Sequence, residues 1–285
     1  EVVLYSYWLY VTAQVAIYLK KQFQSRVKKM VCIARAHGFD IYEELRGYLP
    51  FQQQLVEAVD KVYPCSENGT EYLQAKFPAC AGKIETAYLG TYDHGLNPDA
   101  DKNSFHIVSC SRMAKVKRID LIVDALNLLQ NENLPVKWTH LGGGDLLEHI
   151  RGRVNQELNH IQVELTGMIP NKEVYSFYQN HPVDLFVNVS SSEGLPVSIM
   201  EAISFGIPVL ATDVGGTSEI VENSVDGNLI PVDFKPEELA ERIKEYIQIP
   251  SEEMKALRTT TRGLWKERFQ AVRNYDLFAK NLLKL

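Results

Sequence analysis

Short apolar segments alternate with longer amphipathic segments along most of this sequence. Short apolar runs are typical of buried strands, and apolar positions recurring every three or four residues are typical of helices. The alternation therefore predicts an α/β fold in which crossover helices join parallel strands. The predicted strands are residues 2–8, 30–36, 62–66, 83–89, 105–111, 136–141, 163–168, 183–189 and 208–212.

Three helical segments stand out between or after these strands. Residues 118–130 carry Ile119, Ile122, Leu126 and Leu129 at helical spacing, so one face of this helix should pack on a sheet. Residues 11–22 are predicted to form a helix after the first strand. Residues 266–285 are predicted to form one or two amphipathic helices.

A polar segment divides the chain into two strand-helix series. Residues 91–104, TYDHGLNPDADKNS, contain Gly and Pro and no long apolar run, which is typical of a linker. We therefore expect a first domain over residues 1–93, a second over 94–265, and carboxy-terminal helices over 266–285 that pack back toward the first. The first series supplies about four strands where doubly wound domains have about five or six, so we expect that domain to be incomplete.

The composition is that of an ordinary globular protein and excludes several classes. The chain has 285 residues, of which 45% are hydrophobic, and a net charge of −6, which argues against nucleic acid as a partner. Its four cysteines form no C-x-x-C pair, so we expect no zinc site and free thiols in a reducing cytosol. Ser6, Thr12 and Gln14 interrupt the apolar amino terminus, which we interpret as strand and helix rather than a membrane span.

The segment SSSEGLPVSIMEA, residues 190–202, carries the strongest chemical signal. It follows an apolar strand and predicts a tight loop that opens a helix, with Pro196 at the first helical position. Gly194 lets the backbone approach a ligand closely. The free amides and positive dipole end of such a helix favour a bound phosphate.

Charged residues accompany this loop. Glu193 lies in the loop and Glu201 lies eight positions later, within an apolar stretch where a solvated acid is unexpected. Two such carboxylates can bind different hydroxyls of one ligand. Arg112 and Lys117 follow an earlier strand and can bind a diphosphate. Gly142, Gly143 and Gly144 permit a tight turn, although Leu147 breaks the dinucleotide-binding pattern.

From Phe105 onward the sequence resembles the retaining GT-B glycosyltransferases of family 4, also called group 1, including those of capsule and exopolysaccharide assembly. The two glutamates separated by seven residues, Glu193 and Glu201, carry this resemblance. It implies two Rossmann-like domains facing a cleft, with the nucleotide-sugar donor in the second domain. The implied roles are donor-sugar contact for Glu193, ribose contact for Glu201, sugar and diphosphate contact for Gly194, Leu195 and Pro196, diphosphate binding for Arg112 and Lys117, and base contact for Met168 and Ile169.

The segment CIARAHGFDIYEEL, residues 32–45, resembles the part of these enzymes that carries an active-site histidine. The resemblance implies that His37 is catalytic together with Glu193, that it faces the cleft, and that Asp40 binds substrate beside it. We expect these groups to orient and polarise the sugar rather than to form a covalent bond with it.

The expected activity is a metal-independent, retaining hexosyl transfer from a nucleoside-diphosphate sugar, with UDP the default carrier, to a glycan or lipid-linked acceptor. No cofactor is implied, because the sugar nucleotide is the donor substrate. The alternatives are a sugar-nucleotide 2-epimerase and a non-catalytic nucleotide-binding fragment. Asp99 and Asp101 form a D-x-D pair that we attribute to chance, because it lies in the linker. The basic residues Lys20, Lys21, Arg26, Lys28 and Lys29 suit a solvated helix end or peripheral contact of a cytoplasmic enzyme with anionic lipid.

Overall fold

The computed structural model describes residues 1–43, 47–99, 104–132, 134–223 and 225–285. These residues form two compact units. The first unit comprises Glu1–Gly90, Glu193–Leu195 and Ala271–Leu285, and the second comprises Thr91–Ser192 and Pro196–Gln270. Asp101, in the D-x-D pair, and Leu45, near the histidine segment, lie outside the described residues.

The first unit is built on a parallel sheet. Its described strands are β1 (Val2–Ser6), β2 (Met30–Ala36) and β3 (Lys61–Pro64), in the order β1-β2-β3. Strand β2 is central and buried from Val31 to Ala36, as expected for a parallel strand covered on both faces. The helices between and after these strands are α1 (Val11–Phe23), α2 (Gly38–Ile41), α3 (Gln52–Ala58) and α4 (Glu67–Lys76).

The last helix of the chain, α11 (Ala271–Leu282), packs within this first unit. The ring of Phe278 meets that of Tyr63 edge-on at a centroid distance of 5.0 Å. The guanidinium of Arg35 lies 5.0 Å from the centroid of the Phe278 ring. The side-chain amide of Asn274 donates a 2.7 Å hydrogen bond to the carbonyl of Leu89.

The predicted strand over residues 83–89 is wrong. The chain forms a short 3₁₀ helix over Pro78–Lys83, then a single parallel β-bridge between Ile84 and Val62, and then continues without regular structure. Two backbone hydrogen bonds still link it to β3, from Glu85 N to Val62 O at 3.0 Å and from Ala87 N to Pro64 O at 2.9 Å. The apolar alternation therefore reflects a segment that lies along β3 without completing a strand.

The second unit contains a larger parallel sheet with crossover helices. Its described strands are β4 (Phe105–Cys110), β5 (Val136–Leu141), β6 (Gln162–Leu165), β7 (Leu185–Asn188), β8 (Val209–Thr212) and β9 (Gly227–Ile230). Its helices are α5 (Ile119–Leu129), α6 (Leu147–Glu157), α7 (Asn171–Asn180), α8 (Val197–Ser204), α9 (Pro236–Gln248) and α10 (Ser251–Arg268). The α/β prediction with parallel sheets is thus confirmed.

The strand order of this sheet is β6-β5-β4-β7-β8-β9. The chain therefore moves outward from β4 to one edge and then returns to the other side of β4, so that the order reverses between β4 and β7. In open α/β sheets, ligands bind beyond the carboxyl ends of the strands at such a reversal. The topology thereby makes neighbours of two loops that are distant in sequence, those following β4 and β7.

Helix α5 forms where the apolar spacing predicted it. Ile119, Ile122, Leu126 and Leu129 are all buried, and they join a core that includes Trp138 of β5. Strand β9 was not predicted, because its sequence GNLI is short and begins with glycine. A Cβ at Gly227 would lie 2.1 Å from the carbonyl oxygen of Val209, so the strand requires glycine at this position.

Among the described residues, no helix is long and apolar enough to cross a membrane. The helix predicted over residues 11–22 is confirmed as α1, which buries Ala13, Ala16 and Ile17.

Candidate functional site

The loops after β4 and β7 meet at the reversal point of the second unit's sheet. Ser191 donates its backbone N–H to Val116 O at 2.8 Å, which ties the two loops together. A small pocket lies there, lined by Ser109, Cys110, Ser111, Lys117, Ile119, Val187, Asn188, Val189 and Ser190. Lys117 therefore lies over the carboxyl ends of two adjacent strands, where a positive charge can act on an anion.

Arg118, predicted only as the first residue of a helix, holds the loop after β7 in place. Its backbone is left-handed, with φ of 48°, and it immediately precedes α5. Its side chain donates to Val189 O at 2.7 Å and to Val232 O at 2.6 Å. Arg118 thus fixes the loop after β7, and the carbonyl acceptors occupy its guanidinium.

Arg112 lies in the loop after β4, where its Nη2 contacts both carboxylate oxygens of Asp145 at 3.1 and 2.8 Å. The two side chains are 66% and 77% exposed. Such exposed ion pairs contribute about 0–1 kcal/mol, so a diphosphate can compete with Asp145 for this guanidinium.

The three consecutive glycines form a tight connection between neighbouring loops. A Cβ at Gly143 would lie 2.7 Å from Met168 N, and one at Gly144 would lie 2.6 Å from Met113 O. Gly142 and Gly144 also have φ of 135° and 153°, which strongly favours glycine. The glycines therefore bring the loops after β4, β5 and β6 into backbone contact along one edge of the sheet.

The buried side chain of His140 contacts the end of β4 and the first residue of the loop that follows it. His140 is fully buried; its Nδ1 lies 2.8 Å from Ser109 Oγ and its Nε2 lies 3.0 Å from Ser111 O. Because a carbonyl only accepts, Nε2 carries the proton and Nδ1 accepts from the serine. Burial lowers the pKa of His140 to about 4, so the ring is neutral near pH 7.

Helix α8 begins at Val197, and Pro196 is the residue before it rather than its first helical residue. This one-residue difference is within the usual uncertainty of a helix boundary. No side chain caps this helix start. Among the described residues, the backbone amides of Val197 and Ser198 donate no hydrogen bond, so they suit an anion together with the positive end of the helix dipole.

Glu201, on α8, is only 5% exposed. Its Oε1 accepts hydrogen bonds from Asn171 Nδ2 and Tyr175 OH, each at 2.9 Å. Burial raises the pKa of this carboxyl, and these two bonds act in the opposite direction. Within the described ranges no ion pair reaches Glu201 and no protein donor reaches Oε2. Sequence reasoning missed Asn171 and Tyr175, because no motif marks them.

Met168 and Ile169 follow β6 on the same edge of the sheet. The Met168 side chain is 83% exposed, and Ile169 is half-buried. The second unit thus carries Arg112, Lys117, Met168, Ile169, Pro196 and Glu201 on loops and helix starts that follow β4, β6 and β7.

In the first unit, His37 directly follows β2 and is half-buried. Its Nε2 donates to Tyr7 O at 3.1 Å, and its ring lies 4.7 and 4.6 Å from the rings of Tyr7 and Trp8. Burial, and secondarily the charge of Arg35, lowers the pKa of His37 to about 4. The imidazole is therefore neutral near pH 7.

Asp40 is buried beneath this turn. Its Oδ1 accepts the backbone N–H of His37, and its Oδ2 accepts that of Leu9 at 2.6 Å. Gln52 Nε2 donates to the carbonyls of Asp40 and Ile41 at 3.1 and 2.8 Å. In this structure the carboxylate thus joins the loop after β1 to the His37 turn, and its predicted substrate contact stays a prediction.

Glu193, Gly194 and Leu195 group with the first unit. Within that unit, a Cβ at Gly194 would lie 2.7 Å from Gly38 N, and one at Gly38 would lie 2.8 Å from Gly194 Cα. Two backbones therefore approach each other at a distance that only glycines permit, next to His37.

Two lysines of the basic run near the amino terminus make contacts within the first unit. Lys20 Nζ contacts the two carboxylate oxygens of Asp60 at 2.7 and 2.5 Å. Lys29 Nζ donates to the carbonyl of Leu285.

Among the described residues, no group of three or more His, Cys, Asp and Glu side chains is arranged to hold a metal ion.

Residues 97–263 match the family of glycosyl transferases, group 1. The chain is 29% identical, over 76% of its length, to WcaL of Escherichia coli K12, described as a colanic acid biosynthesis glycosyltransferase. It is 27% identical, over 65% of its length, to the GtfA subunit of a UDP-N-acetylglucosamine–peptide N-acetylglucosaminyltransferase of Streptococcus pneumoniae. These alignments cover 55% and 37% of the relatives, so the chain spans about half the length of the curated relatives it matches.

Two solved structures are similar over nearly the whole chain. Anabaena HepE in complex with UDP and glucose matches with a TM-score of 0.74 and 18% identity, over 99% of this chain and 78% of HepE. Pneumococcal GtfA, an O-GlcNAc transferase in complex with UDP and GlcNAc, matches with a TM-score of 0.76 and 22% identity, over 95% of this chain and 54% of GtfA. The GT-B fold prediction is confirmed.

Proposed function

Since the chain belongs to the glycosyl transferases of group 1, we propose that it moves a hexose from a nucleoside-diphosphate sugar to a glycan or lipid-linked acceptor. The donor would bind the second unit at the carboxyl edge of its sheet. We further propose that the reaction retains the anomeric configuration and needs no metal ion. These are the finer features that the sequence resemblance implied.

One observation carries the proposal: a buried carboxylate without a counter-ion lies on the helix that begins beside the reversal point. Glu201 is 5% exposed, and its Oε2 has no donor among the described residues. A buried carboxylate is costly unless it is paired. A nucleotide ribose would supply two hydroxyl donors to this oxygen, which offsets the cost when the ligand is bound.

The same edge of the sheet supplies positive charge for the diphosphate. The open amides at the start of α8 and the ammonium of Lys117 are preorganised, and Arg112 can exchange Asp145 for a phosphate oxygen. A leaving nucleoside diphosphate needs charge stabilisation, which fixed dipoles and cations provide without reorganisation. Met168, highly exposed beside Ile169, would contact the base.

In the first unit, we assign His37 and Glu193 to the reacting sugar. His37 is neutral near pH 7, because burial and Arg35 lower the pKa of its imidazole. A neutral imidazole can hydrogen-bond a sugar hydroxyl without adding a charge that repels an oxocarbenium-like centre. Gly194 and Leu195 would follow Glu193 along the sugar, and Asp40 would hold the His37 turn in place through main-chain amides.

The comparisons support UDP as the carrier, because HepE and GtfA are both described in complex with UDP. The description of WcaL supports a role in polysaccharide assembly. Lys21, Arg26 and Lys28 remain candidates for contact with an anionic lipid surface at the inner face of the membrane.

Calorimetric titration of the chain with UDP tests this proposal. We expect UDP to bind the parent chain, and Glu201→Ala to weaken the affinity about 10- to 100-fold, because a hydrogen bond to a charged group contributes about 1.5–3 kcal/mol. Glu267→Ala, which removes an exposed acid on α10, is the matched control and should bind like the parent. Equal affinities for parent and Glu201→Ala would remove Glu201 from the site. Conversion of a UDP-sugar to its epimer would instead support an epimerase.

A further inference from the structure

Two neutral donors on one helix converge on a single oxygen of Glu201. Asn171 and Tyr175 lie one turn apart on α7, so their side chains share a face of that helix. Asn171 Nδ2 and Tyr175 OH both reach Oε1 at 2.9 Å. Because both bonds end on the same oxygen, they fix the rotation of the carboxylate and leave Oε2 for a further donor.

The rings of His94 and Phe205 lie beside the ring of Tyr175. The imidazole of His94 stacks on the Tyr175 ring at a centroid distance of 4.1 Å and an interplanar angle of 23°. His94 is itself fixed, because Gln179 of the same helix donates to its carbonyl at 2.9 Å. The ring centroid of Phe205 lies 6.5 Å from that of Tyr175. The phenol hydroxyl is therefore presented to Glu201 by rings that restrict its movement.

The chemistry of these donors matters as much as their position. A lysine or arginine here would neutralise Glu201 and saturate both oxygens. An amide and a phenol instead stabilise the carboxylate through one oxygen and preserve its capacity to accept more hydrogen bonds. Glu201 Oε2 is not one of the fully buried unpaired atoms of the described residues, so a hydroxyl of a ligand can reach it.

We propose that Asn171 and Tyr175 are positioning residues for the donor: they orient the Glu201 carboxylate so that Oε2 accepts the ribose hydroxyls of the nucleotide. This inference rests on the proposed function, which places the ribose at Glu201. It assigns a role in donor affinity to α7, a helix on which the sequence motifs marked no residue.

The test compares two nucleotides in calorimetry. UDP carries both ribose hydroxyls, whereas 2′,3′-dideoxyuridine diphosphate carries neither. Tyr175→Phe and Asn171→Ala should each weaken UDP binding about tenfold, the effect of losing one hydrogen bond to a charged acceptor. Both should bind the dideoxy nucleotide as the parent does, because that ligand gives Oε2 no hydroxyl. In turnover assays the two variants should raise KM for the donor and leave kcat near the parent value.

Tyr178→Phe is the matched control. Tyr178 lies on the same helix and is fully buried, but its hydroxyl has no hydrogen-bond partner among the described residues. This variant should bind both nucleotides like the parent. Equal weakening by Tyr175→Phe and Tyr178→Phe, or equal loss for both nucleotides, would show a general effect on α7 and overturn the inference.

Glu201→Ala separates this inference from the proposed function. If Glu201→Ala weakens UDP binding and both α7 variants bind like the parent, the positioning role is wrong while the donor site stands. If Glu201→Ala itself binds UDP like the parent, the proposed site is wrong.

Discussion

Replacing Asp145 with alanine tests how Arg112 is used. Arg112 Nη2 contacts the Asp145 carboxylate at 2.8 Å. If Arg112 binds the diphosphate, this contact competes with the donor and must be released when the donor arrives. Asp145→Ala removes the competitor and leaves the guanidinium in the loop after β4.

The expected gain is small and can be bounded from the structure. The two side chains are 66% and 77% exposed, and one guanidinium nitrogen serves both carboxylate oxygens. An exposed pair of this kind contributes at most about 1 kcal/mol, which corresponds to about a fivefold change in affinity. Asp145→Ala should therefore tighten UDP binding by up to about fivefold, and more salt should reduce the difference.

Calorimetry on four proteins completes the test: the parent, Asp145→Ala, Arg112→Ala and the double variant. Arg112→Ala should weaken UDP binding and reduce turnover about 10²- to 10³-fold, by analogy with the loss of one transition-state donor. In the Arg112→Ala background, removing Asp145 should bring no gain, because the competing pair no longer exists. Tighter binding that persists in the double variant would show that Asp145 acts by general repulsion, and the competition argument would be wrong.

Two further predictions concern stability, both measured by urea unfolding. Gly143→Ala should destabilise the fold by about 1–3 kcal/mol, because its Cβ would lie 2.7 Å from Met168 N. Gly152→Ala on α6, where a Cβ meets open space, should stabilise it by about 0.5–1 kcal/mol, and the same sign for both would refute the packing argument. Burial lowers the pKa of His140 from 6.5 to about 4 in the folded chain. The folded state is therefore stabilised relative to the unfolded state above pH 6.5, and this stability is lost as the pH falls from 6.5 toward 4. The drop in stability from pH 7 to pH 5 should be about 2 kcal/mol smaller in His140→Gln than in the parent, and equal drops would contradict the assignment.

Much of the fold followed from apolar periodicity. The predicted apolar face of helix α5 is buried. The predicted strands β2 and β5 are buried over most of their length. The errors lie where periodicity carries little information. The apolar alternation of residues 83–89 marks a segment lying along β3, and β9 is too short for its pattern to stand out.

Some residues of the candidate site could be predicted from the sequence, and others could not. Glu201 was identifiable because an acid inside an apolar helix requires an explanation, and its burial agrees with that reasoning. Asn171 and Tyr175 were not identifiable, because only the packing of α7 beside α8 brings them to the carboxylate. Arg118 was overlooked for a similar reason: its carbonyl acceptors, Val189 and Val232, are distant in sequence.

A crystal structure of the chain with a bound UDP-sugar tests the central claim most directly. We predict that the diphosphate lies at the amino-terminal end of α8 near Lys117, with the ribose hydroxyls hydrogen-bonded to Oε2 of Glu201. A nucleotide bound elsewhere on the chain, with Glu201 still bonded only to Asn171 and Tyr175, would contradict the account.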